Sequence, residues 1–237
     1  MTNAPTPAGP GSTFLITGAS RGIGLEFVKQ INARGGKIIA AVRDPAKAER
    51  ELKAAAPSIT LVQLDVSDPG SIESLGERIR GRSVDILINN AGVSSPAKTL
   101  DSLTAAEMAR VFQINSFAPI LVTKACLANL RAGSRKTVVQ ITSILASIQN
   151  NTGGSTYAYR GSKAALNQLN KSLSNELASA GFTCVAIHPG WVKTDMGGPD
   201  AHLTPRQSVE AMLKTIEGLS AQDTGRFLNY DGATLPW

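Results

Sequence analysis

Seven short apolar runs recur along the chain, and stretches with helical or turn character separate each run from the next. The runs occupy residues 14–17, 37–42, 60–64, 84–88, 137–142, 182–187 and 226–229. Because the runs are largely continuous rather than alternating with polar residues, they indicate strands that are buried on both faces. Buried strands that alternate with helices predict an α/β fold, a doubly wound parallel sheet flanked by helices.

The helical stretches follow the runs in regular order, and no change of composition separates two domains. The clearest helical patterns extend to about Ala33 after the first run and cover residues 105–130 and 157–180. A chain of 237 residues is long enough to bury a sizeable core as one domain. We therefore expect one domain over residues 13–237, preceded by a disordered tail at residues 1–12, which are rich in Pro, Gly, Ala and Thr.

The composition argues against several classes of function. Lys and Arg give a net charge of +6 but are dispersed, and aromatics are only 5%, which favours a solvated basic surface over a nucleic-acid interface. No apolar run approaches the roughly 20 residues that cross a bilayer, and no secretory signal is evident, so we expect a cytoplasmic protein. The two cysteines and two histidines lack the spacing of a metal site.

The first run leads directly into a glycine-rich turn. The turn reads Gly18-Ala19-Ser20-Arg21-Gly22-Ile23-Gly24, and a helical pattern follows it. Glycines let the backbone turn sharply and approach a pyrophosphate, while a helix N-terminus offers free N–H groups and a partial positive charge. Glycines spaced in this way after a first strand therefore predict a dinucleotide site.

The end of the second run indicates which nicotinamide cofactor is used. An acidic side chain there binds the ribose 2′-hydroxyl, whereas an arginine accepts a 2′-phosphate. Arg43 occupies this position and is followed at once by Asp44, and Arg21 can approach from the glycine turn. A guanidinium–phosphate contact is a strong charge-assisted interaction, so the sequence favours NADP(H). The preference weakens if Asp44 rather than Arg43 faces the ribose.

Three further segments follow runs at the same edge of the predicted sheet and complete the expected cofactor site. They are Asp65-Val66, Asn89-Asn90-Ala91-Gly92 and Pro189-Gly190-Trp191-Val192-Lys193-Thr194. Asp65 can accept from the adenine amino group or cap the next turn. The second segment has small residues that let backbone pass the adenosine ribose, and the third can hold the nicotinamide carboxamide through Thr194. Open α/β sheets bind ligands at the carboxyl ends of their strands.

Tyr159 and Lys163 lie four residues apart, so on a helix they share one face. A nearby ammonium favours the phenolate of a tyrosine, whose free pKa is about 10. Ser143, after the fifth run, can stabilise a developing alkoxide. Asn115 falls in the middle of the predicted helix 105–130, where its amide can hold a water leading to Lys163. Together these residues predict a hydride transfer in which Tyr159 protonates a carbonyl oxygen.

Two residues compete for these roles. Tyr157 has Gly161 four residues on, so it cannot form the same pair, and it is expected to line the substrate pocket or to pack. Ser147 also follows the fifth run, but Ser143 comes directly after the strand and is preferred.

The ordered combination resembles the short-chain dehydrogenase/reductase family. The segments that carry the resemblance are residues 17–24, Asn89-Asn90-Ala91-Gly92, Asn115, Ser143, Tyr159-x-x-x-Lys163 and Pro189-Gly190. It implies a Rossmann-type fold and a catalytic tetrad of Asn115, Ser143, Tyr159 and Lys163. Residues 188–198 and the ending at residues 230–237 look similar to one branch, the C-factor and sniffer-like carbonyl reductases.

From this resemblance we expect an NADPH-dependent reductase of a small ketone or aldehyde, or an alcohol dehydrogenase in reverse. It also implies a homodimer or homotetramer packed through the helices that contain Asn115 and Tyr159. A short segment from Lys193 to Thr204 suggests an open pocket, with Trp191, Met196 and Tyr157 as candidate lining residues. The alternative is a nucleotide-binding signalling or regulatory protein with little turnover.

Overall fold

A seven-stranded sheet forms the centre of the protein in a computed structural model that describes residues 11–237. The strands are β1 (Thr13–Thr17), β2 (Lys37–Val42), β3 (Thr60–Gln63), β4 (Ile86–Asn89), β5 (Thr137–Ile141), β6 (Thr183–His188) and β7 (Phe227–Asn229). They pair in the order β3-β2-β1-β4-β5-β6-β7, and every neighbouring pair is parallel. The predicted doubly wound parallel sheet is confirmed.

Helices cover both faces of this sheet. They are α1 (Gly22–Ala33), α2 (Pro45–Ala55), α3 (Pro69–Glu73), α4 (Leu75–Arg78), α5 (Ala105–Phe112), α6 (Ala118–Ala125), α7 (Leu127–Arg131), α8 (Tyr157–Leu177) and α9 (Pro205–Gly218). Apolar side chains of α1, α2 and α9 share one core with Ile16 and Val139, whereas those of α3, α4, α6, α7 and α8 share another with Leu15 and Val138. Adjacent strand residues thus serve opposite cores, which is why the runs are apolar throughout.

The predicted boundary of the fourth strand was wrong by two residues at its start. The run begins at residue 84, but β4 begins at Ile86. Asp85 comes just before the strand, and its carboxylate accepts hydrogen bonds from the backbone N–H groups of Thr13 (2.8 Å) and Ser134 (2.7 Å). The carboxylate therefore links the starts of two other segments instead of facing a core.

The single helix predicted over residues 105–130 was also wrong. A π turn at Gln113–Phe117 separates α5 from α6, and a second break at Cys126 separates α6 from α7. Pro119 has no N–H to donate to the carbonyl of Asn115 four residues earlier, so a regular α-helix cannot continue there. The turn is joined to α8 by Ser116, whose hydroxyl donates to the backbone oxygen of Ser162 (2.7 Å).

Most of the expected N-terminal tail, residues 1–10, lies outside the described residues. Of the rest, Gly11 donates its N–H to Gly35 (3.0 Å). None of the helices in residues 11–237 is long and apolar enough to span a membrane. Cys126 and Cys184 are free and buried, and burial raises the pKa of each thiol to about 12. Within the same residues, no three His, Cys, Asp or Glu side chains are grouped as for a metal ion.

The order of the strands reverses direction at β1. The chain proceeds outward from β1 to β2 and β3, then returns to β4 on the other side of β1 and proceeds to β7. The connections that follow β1 and β4 therefore lead to opposite sides of the sheet, and sheets of this type bind ligands at the carboxyl edge beside such a point.

Candidate active site

The turn after β1 requires glycine at three positions. Gly18 and Gly22 have φ angles of +65° and +54°, a region that side chains other than glycine rarely adopt. A Cβ on Gly24 would lie 2.2 Å from the backbone oxygen of Gly18, which is too close for any side chain. Ser20 is half-buried in the turn, and Ile23 packs against the core under α1.

The N-terminus of α1 is open to a ligand. Arg21 precedes the helix in an extended conformation, and its side chain makes no capping hydrogen bond. The free N–H groups of the first turn and the helix dipole therefore favour an anion at this point, directly beside the glycine turn. This geometry fits the pyrophosphate of a dinucleotide.

The turn after β4 is fastened to the turn after β1. The Thr17 hydroxyl oxygen accepts from the backbone N–H groups of Asn90 and Ala91 (both 3.0 Å), and the Asn90 amide donates to the backbone oxygens of Thr17 (2.9 Å) and Gly18 (3.2 Å). The expectation that these amides tie neighbouring strands together is confirmed. Sequence reasoning did not assign a role to Thr17, although a threonine just before the glycine turn was a usable signal.

The other amide of this turn faces the interior. Asn89 is buried and donates to the backbone oxygen of Pro119 (3.0 Å) and to the Thr123 hydroxyl (3.2 Å), so it links β4 to α6. Gly92 lies against two predicted catalytic residues, because a Cβ there would be 3.3 Å from Asn115 Oδ1 and 3.6 Å from Lys163 Nζ. The absence of a side chain at Gly92 leaves the space between them open.

At the end of β2, Asp44 is occupied by its own helix. Its carboxylate caps α2 by accepting from the Lys47 N–H (3.2 Å), and it pairs with Lys47 Nζ (3.0 Å). These interactions with Lys47 lower the pKa of Asp44. Arg43 is exposed at the edge of the sheet. The alternative in which Asp44 faces the ribose is therefore disfavoured.

Asp65 was expected either to accept from the adenine amino group or to cap the next turn, and the structure shows it as a cap. One carboxylate oxygen accepts from both the N–H (2.9 Å) and the hydroxyl (2.6 Å) of Ser67, so the side chain caps the next turn. These bonds lower the pKa of Asp65, and the charge of Arg43 lowers it further. Val66 packs against the core on the α3 side of the sheet. The second oxygen of Asp65 remains available to an adenine.

The loop after β6 lies across the glycine turn. A Cβ on Gly22 would be 3.4 Å from Thr194 Cγ2, and Thr194 Oγ1 accepts from the Gly197 N–H (3.1 Å). Pro189 and Gly190 start the loop, with the Pro189 oxygen accepting from Ser208 (2.6 Å), and Val192 is buried beneath it.

Arg21 is paired with a carboxylate of the loop after β6. Its guanidinium is 3.2 Å from the carboxylate of Asp195, and both side chains are well exposed. An exposed pair of this kind contributes at most about 1 kcal/mol, so a phosphate can displace the carboxylate. The expected approach of Arg21 to a 2′-phosphate therefore requires that it leave Asp195.

Tyr159 and Lys163 lie on consecutive turns of α8, as predicted. Lys163 is only 5% exposed, and its Nζ donates to the backbone oxygen of Ile141 at the end of β5 (2.8 Å). Burial disfavours the charged form and lowers the pKa of Lys163 to about 8.

The prediction that the surroundings of Tyr159 lower its pKa was wrong. The ammonium of Lys163 was expected to favour the phenolate, but burial dominates and raises the pKa of Tyr159. A hydrogen bond from Ser143 acts in the opposite sense and lowers it in part. The phenol consequently keeps its proton at neutral pH, which suits a proton donor.

Ser143, not Ser147, lies beside Tyr159. The Ser143 side chain acts on the phenol and lowers its pKa in part, and the Ser143 hydroxyl oxygen accepts from the Leu145 N–H (3.1 Å). Ser147 is engaged elsewhere, since its hydroxyl donates to the backbone oxygen of Trp237 (3.2 Å) and accepts from the Asn150 N–H (3.1 Å).

Asn115 was expected in the middle of an α-helix with its amide free to hold a water. It lies instead in the π turn, where Oδ1 accepts from the Val93 N–H (2.9 Å) and Nδ2 donates to the Val93 oxygen (2.9 Å) and the Ser162 hydroxyl (3.1 Å). Both amide protons are thus used within the protein. Ser162, a small buried residue just before Lys163, was missed as the residue that holds Asn115 against α8.

Three side chains predicted to line the substrate pocket are partly exposed. Tyr157, Trp191 and Met196 are 44%, 49% and 51% exposed. Trp191 is held by a hydrogen bond from Nε1 to the Gly197 oxygen (2.7 Å) and by edge-to-face contact with His202 (5.0 Å between ring centroids). The predicted lining residues are therefore available to an apolar substrate.

Comparison with known proteins gives consistent matches. The sequence model of a family described as short chain dehydrogenase matches residues 12–203. The C-signal protein of Myxococcus xanthus is 50% identical over 154 residues, which cover 65% of this chain and 93% of that protein.

Two solved structures match over nearly the whole chain. The carbonyl reductase Sniffer of D. melanogaster has a TM-score of 0.90 at 35% identity and covers 96% of this chain and 100% of its own. An NADPH-bound carbonyl reductase from chicken fatty liver has a TM-score of 0.89 at 37% identity, covering 98% and 96%.

Because Lys163 is buried as a cation, we expect the Lys163→Met variant to unfold less readily than the wild type at pH 7. A pKa of about 8 in place of the ordinary 10.5 means that burial of the charge costs about 3 kcal/mol of folding free energy, which the methionine variant recovers. Loss of the hydrogen bond to Ile141 offsets about 1 kcal/mol of this recovered stability. The folded-state pKa is the lower one, so the difference is largest below pH 8 and shrinks as the pH rises to 10.5. Urea unfolding at pH 7 and at pH 10.5 measures the free energy of unfolding of the variant and the wild type. Lys171→Met, which replaces an exposed lysine, serves as the control. Equal stability of Lys163→Met and wild type at pH 7 would contradict the burial cost.

Proposed function

Because the chain belongs to the short-chain dehydrogenase family of oxidoreductases, we propose that it reduces a ketone or an aldehyde to an alcohol with NADPH. The observation that carries the proposal is the placement of Tyr159 one helical turn before the buried Lys163, whose Nζ donates to the end of β5, two residues before Ser143. This arrangement supplies a proton donor, a hydrogen-bond donor for a carbonyl oxygen and a cation at the end of a crevice that fits a dinucleotide.

The turns and the loop at the carboxyl edge of the sheet form the binding half of the proposed site. The N-terminus of α1 and the glycine turn would hold the pyrophosphate, and the turn after β4 would pass the adenosine ribose. Lys163 would donate to the nicotinamide ribose, and the loop from Pro189 to Thr194 would hold the carboxamide. A nicotinamide bound in this way supplies the hydride that reduces the carbonyl carbon.

The reacting half consists of side chains of α8 and of the segment after β5. Ser143 Oγ donates to the carbonyl oxygen of the substrate and stabilises the charge that develops there. Tyr159 then gives its proton to that oxygen, and its raised pKa ensures that the proton is present at neutral pH. Lys163, with a pKa of about 8, is largely charged at pH 7 and stabilises the phenolate that remains. Asn115 holds the π turn against α8 and so fixes the position of this helix.

Preference for NADPH over NADH is supported by the charges at the end of β2. Arg43 is exposed there, and Asp44 is drawn into the cap of α2. A 2′-phosphate would gain contacts with Arg43 and with Arg21 once the latter leaves Asp195. The carbonyl reductase from chicken fatty liver, similar over nearly the whole chain, is NADPH-bound.

A signalling role without turnover is the weaker candidate. The similarity to the C-signal protein covers 65% of this chain, whereas the carbonyl reductases match 96% or more of it. All four residues of the expected tetrad are present, as a working reductase requires.

We also propose a homodimer or homotetramer. Met108, Phe117 and Leu121 expose 37%, 47% and 37% of their surface along α5, the π turn and α6. Apolar side chains on one stretch of helix are typical of an interface between copies. Sedimentation equilibrium at micromolar concentration is expected to give a dimer or tetramer mass, and a monomer throughout would contradict this assembly.

For the reaction itself, we expect the protein to oxidise NADPH in the presence of a panel of ketones and aldehydes. The Tyr159→Phe variant removes the proton donor and should lower kcat by at least about 100-fold, the usual contribution of a general acid. The rate is followed by the loss of reduced-nicotinamide absorbance. Tyr230→Phe, which loses a hydroxyl outside the tetrad, should retain activity. Full activity of Tyr159→Phe would refute the assigned mechanism, whereas NADPH binding without turnover in the wild type would favour the signalling role.

For the cofactor preference, we expect Arg43→Ala to raise the Kd of NADPH and to leave that of NADH unchanged. A hydrogen bond to a charged group contributes about 1.5–3 kcal/mol, which corresponds to about a 10- to 150-fold loss. Fluorescence titration with both cofactors measures it, with Asp44→Asn as the matched control that should not acquire a preference for NADH. An equal loss for both cofactors, or tighter NADH binding in the wild type, would overturn the assignment of Arg43.

A further inference from the structure

The loop after β6, residues 191–203, is folded on itself. Its two ends are joined, because the Leu203 N–H donates to the Trp191 oxygen (3.0 Å). Between these ends the chain makes a tight turn, in which the Gly198 N–H donates to the Thr194 oxygen (2.9 Å). The tip of the loop, from Thr194 to Gly198, therefore has its own hydrogen bonds, and they fix its shape.

The tip of this loop reaches the glycine turn from the other half of the sheet. β6 lies three strands away from β1, a distance of about 14 Å, so the loop extends along the carboxyl edge to reach the turn. Two contacts join them there. Asp195 Oδ2 is 3.2 Å from Arg21 Nη1, and a Cβ on Gly22 would be 3.4 Å from Thr194 Cγ2. The tip of the loop therefore lies beside the N-terminus of α1.

Arg21 is one of two arginines that follow the neighbouring strands β1 and β2. Thr17 of β1 is in register with Ala41 of β2, and the Gly18 N–H donates to the Ala41 oxygen (3.0 Å). The glycine turn is thereby joined to the end of β2, which Arg43 follows directly. A phosphate between the two guanidinium groups would accept from both, and this is the contact proposed above for the 2′-phosphate.

The carboxylate of Asp195 occupies the guanidinium that this phosphate requires. A phosphate monoester carries a charge of about −1.5 to −2 at neutral pH and binds a guanidinium bidentately, so it displaces a carboxylate from an exposed pair. The displaced carboxylate stays nearby, because the tip of the loop is held beside α1, and it repels the phosphate. Loss of the ion pair and this repulsion both weaken the binding of a cofactor that carries a 2′-phosphate.

We propose that Asp195 competes with the 2′-phosphate of NADPH for Arg21 and in this way reduces the preference of the protein for NADPH over NADH. NADH has a ribose hydroxyl in place of the phosphate, so its binding does not require Arg21 to leave Asp195. The proposal rests on the cofactor site of the proposed function. It concerns the affinity for the cofactor and does not depend on turnover.

The test measures the Kd of NADPH and of NADH by isothermal titration calorimetry. It compares the wild type with Asp195→Asn, with Arg21→Ala and with the double variant. Asp200→Asn is the matched control, because it removes the same charge from an exposed position of the same loop. Adenosine 2′,5′-bisphosphate, which carries the 2′-phosphate without a nicotinamide, is titrated as well, and adenosine 5′-monophosphate is its counterpart without the 2′-phosphate.

In Asp195→Asn, the Kd of NADPH and that of the bisphosphate should fall about two- to fivefold, the range that an exposed ion pair sets. The Kd of NADH and that of the monophosphate should stay nearly unchanged. In the Arg21→Ala background the same substitution should no longer favour NADPH over NADH, and Asp200→Asn should match the wild type. The gain in Asp195→Asn should also shrink at high salt, because salt screens exposed charges.

An equal change for NADPH and NADH in Asp195→Asn would overturn the proposal, since only the net charge of the site would then matter. Weaker binding of both cofactors would also overturn it, because Asp195 would then close over the bound dinucleotide. So would a preference for NADPH that rises as much without Arg21 as with it.

The outcome for the reductase function is separate. A wild type that binds NADPH but turns over no carbonyl compound would refute the reductase, and the Kd values would still decide the role of Asp195. A wild type that binds neither cofactor would refute both proposals.

Discussion

The burial of the Lys163 ammonium is the interaction on which the proposed site depends. A cation with 5% exposure and one backbone acceptor is costly, and it is tolerated only where the surrounding structure gives it no alternative. The acceptor is the oxygen of Ile141, the last residue of β5, so the charge is located at the carboxyl edge by the sheet itself. Tyr159 lies one turn earlier on the same helix, and its position follows from that of Lys163.

Two further constraints place the neighbouring groups. The π turn brings Asn115 to Val93 and Ser162, which fastens the helices before and after it to α8. The hydrogen bonds between Thr17 and Asn90 hold together the turns after β1 and β4, which form the binding half of the proposed site. The space at Gly92, between Asn115 and Lys163, is where the two halves meet.

Much of the fold could be predicted from the sequence, because apolar runs, glycine turns and helical spacing are local signals. The seven strands and the parallel sheet were predicted in this way, as was the helix that carries Tyr159 and Lys163. Other features depend on contacts between distant residues: Arg21 pairs with Asp195, 174 positions later, and Ser147 bonds Trp237, 90 positions later. The direction of the Tyr159 pKa depends on how deeply the phenol is buried, which residue spacing does not reveal. The π turn combines a local cause, Pro119, with bonds to α8 that only the tertiary structure provides.

The proposed reaction is a hydride transfer at this edge of the sheet, and transfer of an isotope label tests it most directly. The protein would be incubated with a reducible ketone and with NADPH carrying deuterium at C4 of the nicotinamide on one face or the other. One of the two labelled cofactors is expected to give an alcohol with a single deuterium on the former carbonyl carbon, detected by mass spectrometry. An alcohol without deuterium from both cofactors, or no alcohol from any carbonyl compound tried, would contradict the account.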